Sequence, residues 1–230
     1  MNDGSIKIPP HKSTKAKGRS RRPQQRSTDT QEKILEAAAV EFALHGFTGT
    51  STREIASRAG VQHPALTYHF GNKDGLWRAV MRGLNETVLA TLKARLEALR
   101  GVDAITTLRL IMEDFIRFSA ANPKFHRLMD YEAGNGGERM NWLADEFVKQ
   151  FFGVLVPLIR AAQKDQGFVA GDAYHLVYLF IGATTRLFML APEVKRVSGR
   201  SPMSSAYIQE HVDLCLALFF RSPATPKVKR

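Results

Sequence analysis

The stretch TREIASRAGVQHPALTYHF, residues 52–70, sets two short helix-compatible runs on either side of Ala59-Gly60-Val61. A chain that breaks a helix after two turns and restarts it at once needs a reason for the break. Gly60 sits where a tight turn wants a positive φ, which glycine adopts without a Cβ clash. Pro64 is tolerable because it lies in a first turn, where its missing N–H has no helical partner to lose. Ile55, Ala56, Ala59, Val61, Leu66 and Phe70 form an inward set at helical spacing, and the small Ala56 and Ala59 let the two helices approach closely. Gln62, His63, Ala65, Thr67 and His69 are then left to point outward. Helix, glycine turn, helix is the helix-turn-helix pattern. In its DNA-reading form the first helix braces the second, whose leading residues enter the major groove. Helix pairs of this kind also occur in proteins that never meet DNA.

Working outward, Ile34, Leu35, Ala38 and Phe42 recur at helical spacing, and Gly46 suits a stop. Order is expected from Thr30. Thr50 or Ser51 is placed to cap the next helix, with Glu54 three residues beyond Ser51 as in a capping box. Asn72 caps a longer helix from Lys73 through Trp77, Val80, Met81 and Leu84.

Taken together, FTGTSTREIASRAGVQHPALTYHFGNKDGLWRAVM and the helix before it resemble the DNA-binding domain of the tetracycline-repressor family of bacterial transcriptional regulators. The likeness spans roughly Thr30 to Met81 and is carried by Phe47, Thr50, Ile55-Ala56, Gly60-Val61, Leu66, His69-Phe70 and Lys73. It implies phosphate contacts at Thr50, Ser51, Thr52 and Arg53. It implies a recognition helix presenting Gln62, His63, Pro64, Ala65, Thr67, Tyr68 and His69, and a further phosphate contact at Lys73, at a helix start. One departure stands out. The family usually has tyrosine directly after the recognition-helix leucine, whereas this chain has Thr67 there and Tyr68 next.

The 230 residues carry a formal net charge of +11, which points to a polyanionic partner. The charge is uneven. Residues 1–29 hold eight Lys/Arg against Asp3 and Asp29, residues 221–230 hold four and no acid, and the stretch between is close to neutral. Residues 30–75 have four basic against five acidic side chains, so a basic arm upstream is placed to supply the counterion-release term in DNA binding. Residues 1–29 therefore read as a disordered basic arm, 30–76 as the helix-turn-helix domain, 77–221 as a helical effector-binding and dimerisation domain, and 222–230 as a basic tail.

The remainder is helical. Ile105 to Ala120 is amphipathic, and Asn122-Pro123 breaks it. Gly134 to Gly137 reads as a loop, Trp142 to Ala162 as a helix, and Pro192 as the end of an apolar segment running to Leu190. Tyr207 to Phe220 is the last helix. About nine helices and no sheet make an all-α protein. One cysteine, Cys215, allows no internal disulfide. The apolar run Leu176–Leu190 is interrupted by Arg186 and falls short of the roughly 20 residues a membrane helix needs. A cytoplasmic protein without a membrane partner is expected.

Helices apolar on most of their circumference are buried on more than one side. On that ground Val177, Phe180, Ile181, Thr184, Phe188, Val212, Cys215 and Phe219 are candidates for a homodimer interface. The resemblance adds a four-helix bundle made from the last two helices of each chain. Met112, Phe115, Phe118, Trp142, Phe147, Phe151, Tyr178 and Phe188 could line an effector pocket, with His126, His175 and Arg186 as polar anchors. Such aromatics are more often plain core. No phosphate-cradling loop, HExxH, CxxC or nucleophile elbow occurs, so no cofactor, metal or catalysis is expected. The expected function is a dimeric regulator that binds an operator in double-stranded DNA and responds to a small, largely apolar effector. The rivals are a helical small-molecule-binding protein or enzyme whose N-terminal bundle does not read DNA, and a protein that binds DNA through its basic ends alone.

Overall fold

The computed structural model describes residues 21–221, with side chains from Arg26 onward. The expectations for residues 1–20 and 222–230 lie outside that range. Eleven α-helices occur among the described residues: α1 Arg21–Gly49, α2 Thr52–Ala59, α3 His63–Phe70, α4 Lys73–Ala98, α5 Ala104–Ala121, α6 Pro123–Asn135, α7 Gly137–Leu143, α8 Lys149–Lys164, α9 Ala173–Met189, α10 Ala191–Ser198 and α11 Ser205–Phe219. A π-turn, Ala144–Val148, joins α7 to α8. Two compact units divide inside α4, between Val88 and Leu89; the boundary expected at 76/77 falls in the same helix.

In the first unit, Ile34, Ala38 and Phe42 of α1 pack with Ile55, Ala56, Leu66, Trp77, Val80 and Met81, all buried. Phe47 stacks on Phe42 at 6.0 Å and meets Trp77 edge-on at 6.4 Å. Helix α1 begins at Arg21, which corrects the expected start at Thr30 and the disordered reading of residues 21–29. The Thr30 hydroxyl donates to the Arg26 carbonyl at 2.8 Å, a local bond that the helix accommodates. Gly46 interrupts α1 at φ 66, ψ −179.

Helix α2 starts where Ser51 accepts from the Arg53 N–H at 3.3 Å. It ends at Gly60, φ 65, where the Gly60 N–H bonds Ser57 O and the Val61 N–H reaches Ala56 O at 3.0 Å. That pair of bonds satisfies carbonyls the helix end would orphan. Asn72 caps α4 through Oδ1, which accepts from the Gly75 N–H at 2.8 Å.

The second unit is built on α5, which packs against α8, α9 and α11. Leu108, Ile111, Met112, Ile116, Phe152, Ile159, Val177, Phe180, Val212 and Phe219 belong to one buried cluster. The chain end is tied to the α8–α9 loop by an antiparallel bridge between Phe168 and Phe220. Within it the Val169 N–H donates to Phe219 O at 2.9 Å and the Arg221 N–H to Gly167 O at 3.1 Å.

Three local readings are corrected. The loop expected at Gly134–Gly137 shrinks to Gly136, φ 67, between α6 and α7. The helix expected from Trp142 begins earlier, with α7. Pro192 opens α10 rather than closing the helical segment, because it falls in a first turn; α9 and α10 meet at a 73° bend. No single helix among the described residues is long and apolar enough to cross a membrane.

Candidate functional site

The α2–α3 pair presents most of the residues singled out by the sequence. Gln62, His63, Pro64, Thr67 and Tyr68 are exposed, and Tyr68 is 84% accessible. Ala65 and His69 are half-buried, while Leu66 anchors the helix from below. Both Thr67 and Tyr68 therefore face solvent. Thr52 Oγ1 lies 3.0 Å from His63 Nε2, so the start of α2 braces the leading tip of α3. Arg53 is exposed, and Ser51 is half-buried as the cap of α2.

Thr50 departs from its expected role. It is 3% exposed, and its hydroxyl donates to Gly46 O at 2.7 Å and lies 3.1 Å from Glu41 O. A hydroxyl spent on two carbonyls inside the unit is not available to a phosphate. Lys73 is half-buried; its ammonium donates to Thr48 O at 3.3 Å and sits 4.7 Å from the Phe47 ring centroid. The α1–α2 turn thus fixes where that charge stands.

One bracing group escaped the sequence reading. Glu41 is buried, and Arg58 Nε approaches its carboxylate at 2.6 Å, with His45 at 3.6 Å. Seventeen residues separate Glu41 from Arg58, so no helical spacing joins them in the sequence.

The expected effector residues do not converge on one place. Phe115, Phe118 and Phe151 gather with Phe125 and Phe180: Phe115 is 5.6 Å from Phe151 and 5.4 Å from Phe180, and Phe118 is 5.5 Å from Phe125. His126 sits among them and is 6% exposed. Its burial pushes the imidazole down to a pKa of about 4. Met112 is core. Trp142 and Phe147 form a pair of their own at 5.4 Å. Tyr178 is corrected: it is 62% exposed and lies over Phe152 at 5.0 Å. Phe188 is corrected too, because it is buried against His211 at 5.3 Å. Of the other expected anchors, His175 and Arg186 are exposed. Burial pushes the Asp130 carboxyl up, and the Arg186 charge opposes it. An open cavity of about 270 Å³, lined by Gln163, Gln166, Phe168, Ala170, Gly171 and Arg221, touches none of the expected effector residues.

The expected dimer residues also change. Val177, Phe180, Thr184, Phe188, Val212, Cys215 and Phe219 are buried inside the single chain, and Ile181 is half-buried. They are the inner faces of α9 and α11, not a surface offered to a partner. The outer faces carry Leu179, Gly182 and Ala183 on α9, and Leu214, Ala217 and Leu218 on α11. Leu179, Leu214 and Leu218 are 62%, 61% and 66% exposed. Cys215 is sealed in, and burial pushes its thiol up to a pKa of about 11. No cluster of three or more His, Cys, Asp or Glu suited to a metal occurs among the described residues.

Comparison with known proteins bears on this geometry. The family described as "Bacterial regulatory proteins, tetR family" matches residues 34–80. The HTH-type transcriptional regulator RutR of Escherichia coli (strain K12) is 30% identical over 184 residues, covering 78% of this chain and 84% of that protein. The HTH-type transcriptional repressor KstR2 of Rhodococcus jostii (strain RHA1) is 28% identical over 166 residues, covering 66% and 74%. Among solved structures, the hemolysin II transcriptional regulator HlyIIR superposes with a TM-score of 0.64 at 22% identity, over 82% of this chain and 97% of that one. AibR in complex with isovaleryl coenzyme A and operator DNA superposes with a TM-score of 0.68 at 19% identity, over 83% and 98%. These structural likenesses concern the fold.

Proposed function

Given that the chain belongs to the tetR family of bacterial regulatory proteins, we propose that it is a cytoplasmic repressor that grips a two-fold symmetric operator as a homodimer and lets go when a small, largely apolar effector enters its second unit. The observation that carries the reading is α3: a short helix, set off by the Gly60 turn, with Gln62, His63, Pro64, Thr67 and Tyr68 all open to solvent. Thr67 can hydrogen-bond a phosphate or meet a thymine methyl, and Gln62 and His63 can reach base edges. Ser51, Thr52, Arg53 and Lys73 flank the tip and are assigned to phosphates, which set register but carry no sequence information.

One α3 reads one half-site. A two-fold dimer reads an inverted repeat, with half-sites roughly 34–36 Å apart. Exposed leucines on two helices that pack together favour a second copy of the chain as the cover, since patches of this kind mark interaction surfaces. Effector binding shifts the operator equilibrium only by its preference for the released state. KstR2 is a repressor, and AibR shares this fold while bound to both an acyl coenzyme A and an operator. Both precedents favour regulation over catalysis as the role of this chain.

Sequencing the genomic fragments retained by purified protein tests the reading. An inverted repeat is expected, with recovery lost in a Gln62→Ala, Tyr68→Ala double variant. Fragments without a shared sequence would overturn it.

A further inference from the structure

We propose that His126 is the hydrogen-bonding anchor of the effector site, and that the effector class it selects is a neutral molecule with a flat apolar body and one polar edge, of which a phenol is the simplest member. The inference rests on the regulatory reading above and names the ligand chemistry of its second unit.

His126 lies in the second turn of α6 and is held by three phenylalanines. Phe115, Phe118 and Phe125 meet its ring edge-on at 5.7, 6.1 and 5.1 Å. None of them offers a hydrogen-bond acceptor or a charge. Nε2 is buried and has no partner. A buried polar atom left in that condition opposes folding by about 1–3 kcal/mol, whereas a phenylalanine or leucine at the same place would carry no such penalty. Orphaned polar atoms call for a specific cause, and a partner that arrives with a ligand supplies one.

The surroundings supply the second line of argument. His126 is closed off, but Phe115, Phe118 and Phe151 each keep part of their surface open to solvent. The aromatic group therefore has a side from which a flat molecule can slide in over the rings. Aromatic pairs prefer offset or edge-on contacts at 4.5–7 Å between centroids, the spacing already present between these rings. Because the imidazole stays neutral here, Nε2 exchanges one hydrogen bond and offers no charge to an anion. A carboxylate or an ammonium would lose its hydration and gain no counter-charge from the phenylalanines, which disfavours ionised ligands.

Phenol, toluene and benzoate are the probes. The full chain, labelled with ¹⁵N at histidine, is titrated with each, and the His126 Nε2 resonance is followed in a long-range ¹H–¹⁵N spectrum. Phenol is expected to move that resonance in the direction of hydrogen bonding, toluene to leave it nearly still, and benzoate to bind worst. In His126→Phe the ratio of phenol to toluene affinity is expected to fall about tenfold, with toluene still bound. His126→Gln, which keeps a hydrogen-bonding group, is expected to restore part of the preference. The proposal is overturned if phenol and toluene perturb Nε2 alike, if no probe moves it, if benzoate binds best, or if the affinity ratio survives His126→Phe. Should that variant not fold, the wild-type resonance decides. Release of the recovered genomic fragments is measured separately. Phenol bound at His126 without DNA release upholds the site and refutes effector-driven release, so the two failures are distinct.

Discussion

Two hydroxyls a residue apart, on Thr50 and Ser51, divide the work of one helix start. Ser51 caps α2, while Thr50 turns inward to the carbonyls of Gly46 and Glu41. Thr50→Val is therefore expected to destabilise the fold by about 1–2 kcal/mol and to leave the salt dependence of DNA binding unchanged. Lys73→Ala is expected to do the reverse: a near-normal melt, with the log–log salt slope reduced by about one. Urea melts and binding titrations at several salt concentrations check both. The sequence marked both hydroxyls as cap candidates and could not choose between them, because the choice depends on a carbonyl nine residues back, at Glu41. His126 has its own signature. Its folded-state imidazole resists protonation until about pH 4, whereas in the unfolded chain it takes a proton near pH 6.5. Between those values the unfolded state binds more protons, so stability falls as acid is added, by up to about 3 kcal/mol. Urea melts at pH 7, 6 and 5 are expected to show this slope, flattened in His126→Phe.

At the scale of elements, the turns into and out of α3 obey different constraints. Gly60 has φ 65 and open space where a Cβ would go. Gly60→Ala meets only a backbone penalty of about 1 kcal/mol. Gly75 is helical, but a Cβ there would stand 2.3 Å from Phe70 O, which is backbone and cannot swing aside. Gly75→Ala is expected to be the more damaging, by about 1–3 kcal/mol, and to weaken DNA binding as the α3–α4 turn shifts. Denaturant midpoints and a binding isotherm for each variant decide it. The Gly60 turn was legible because glycine at the end of a short apolar period is a local signal. The close approach at Gly75 was not, since it arises from how tightly two helices are joined. Pro192 shows the same limit from another side: proline is equally at home after a helix and in the first turn of the next, so the residue alone could not decide where α10 lies.

At the scale of the whole molecule, the all-α architecture followed from periodicity, but the outer face of α9 and α11 did not. A helix apolar nearly all round hides which side its own chain covers, and the sequence assigned the covered side to the partner. The proposed interface gives a direct contrast. Leu179→Glu with Leu214→Glu is expected to yield a folded monomer in sedimentation, with a melt within about 0.5 kcal/mol of the parent and much weaker operator binding. Val177→Glu, which buries an unpaired charge, is expected to unfold the chain instead. The lone sulfur of Cys215 adds a practical consequence. Because the thiolate is the reactive form, a thiol held protonated deep in α11 is inert toward maleimides at neutral pH. A dye attached through Tyr68→Cys would consequently mark the reading tip alone, leaving the native sulfur in place, and two such dyes in one dimer would turn tip separation into a distance read by energy transfer.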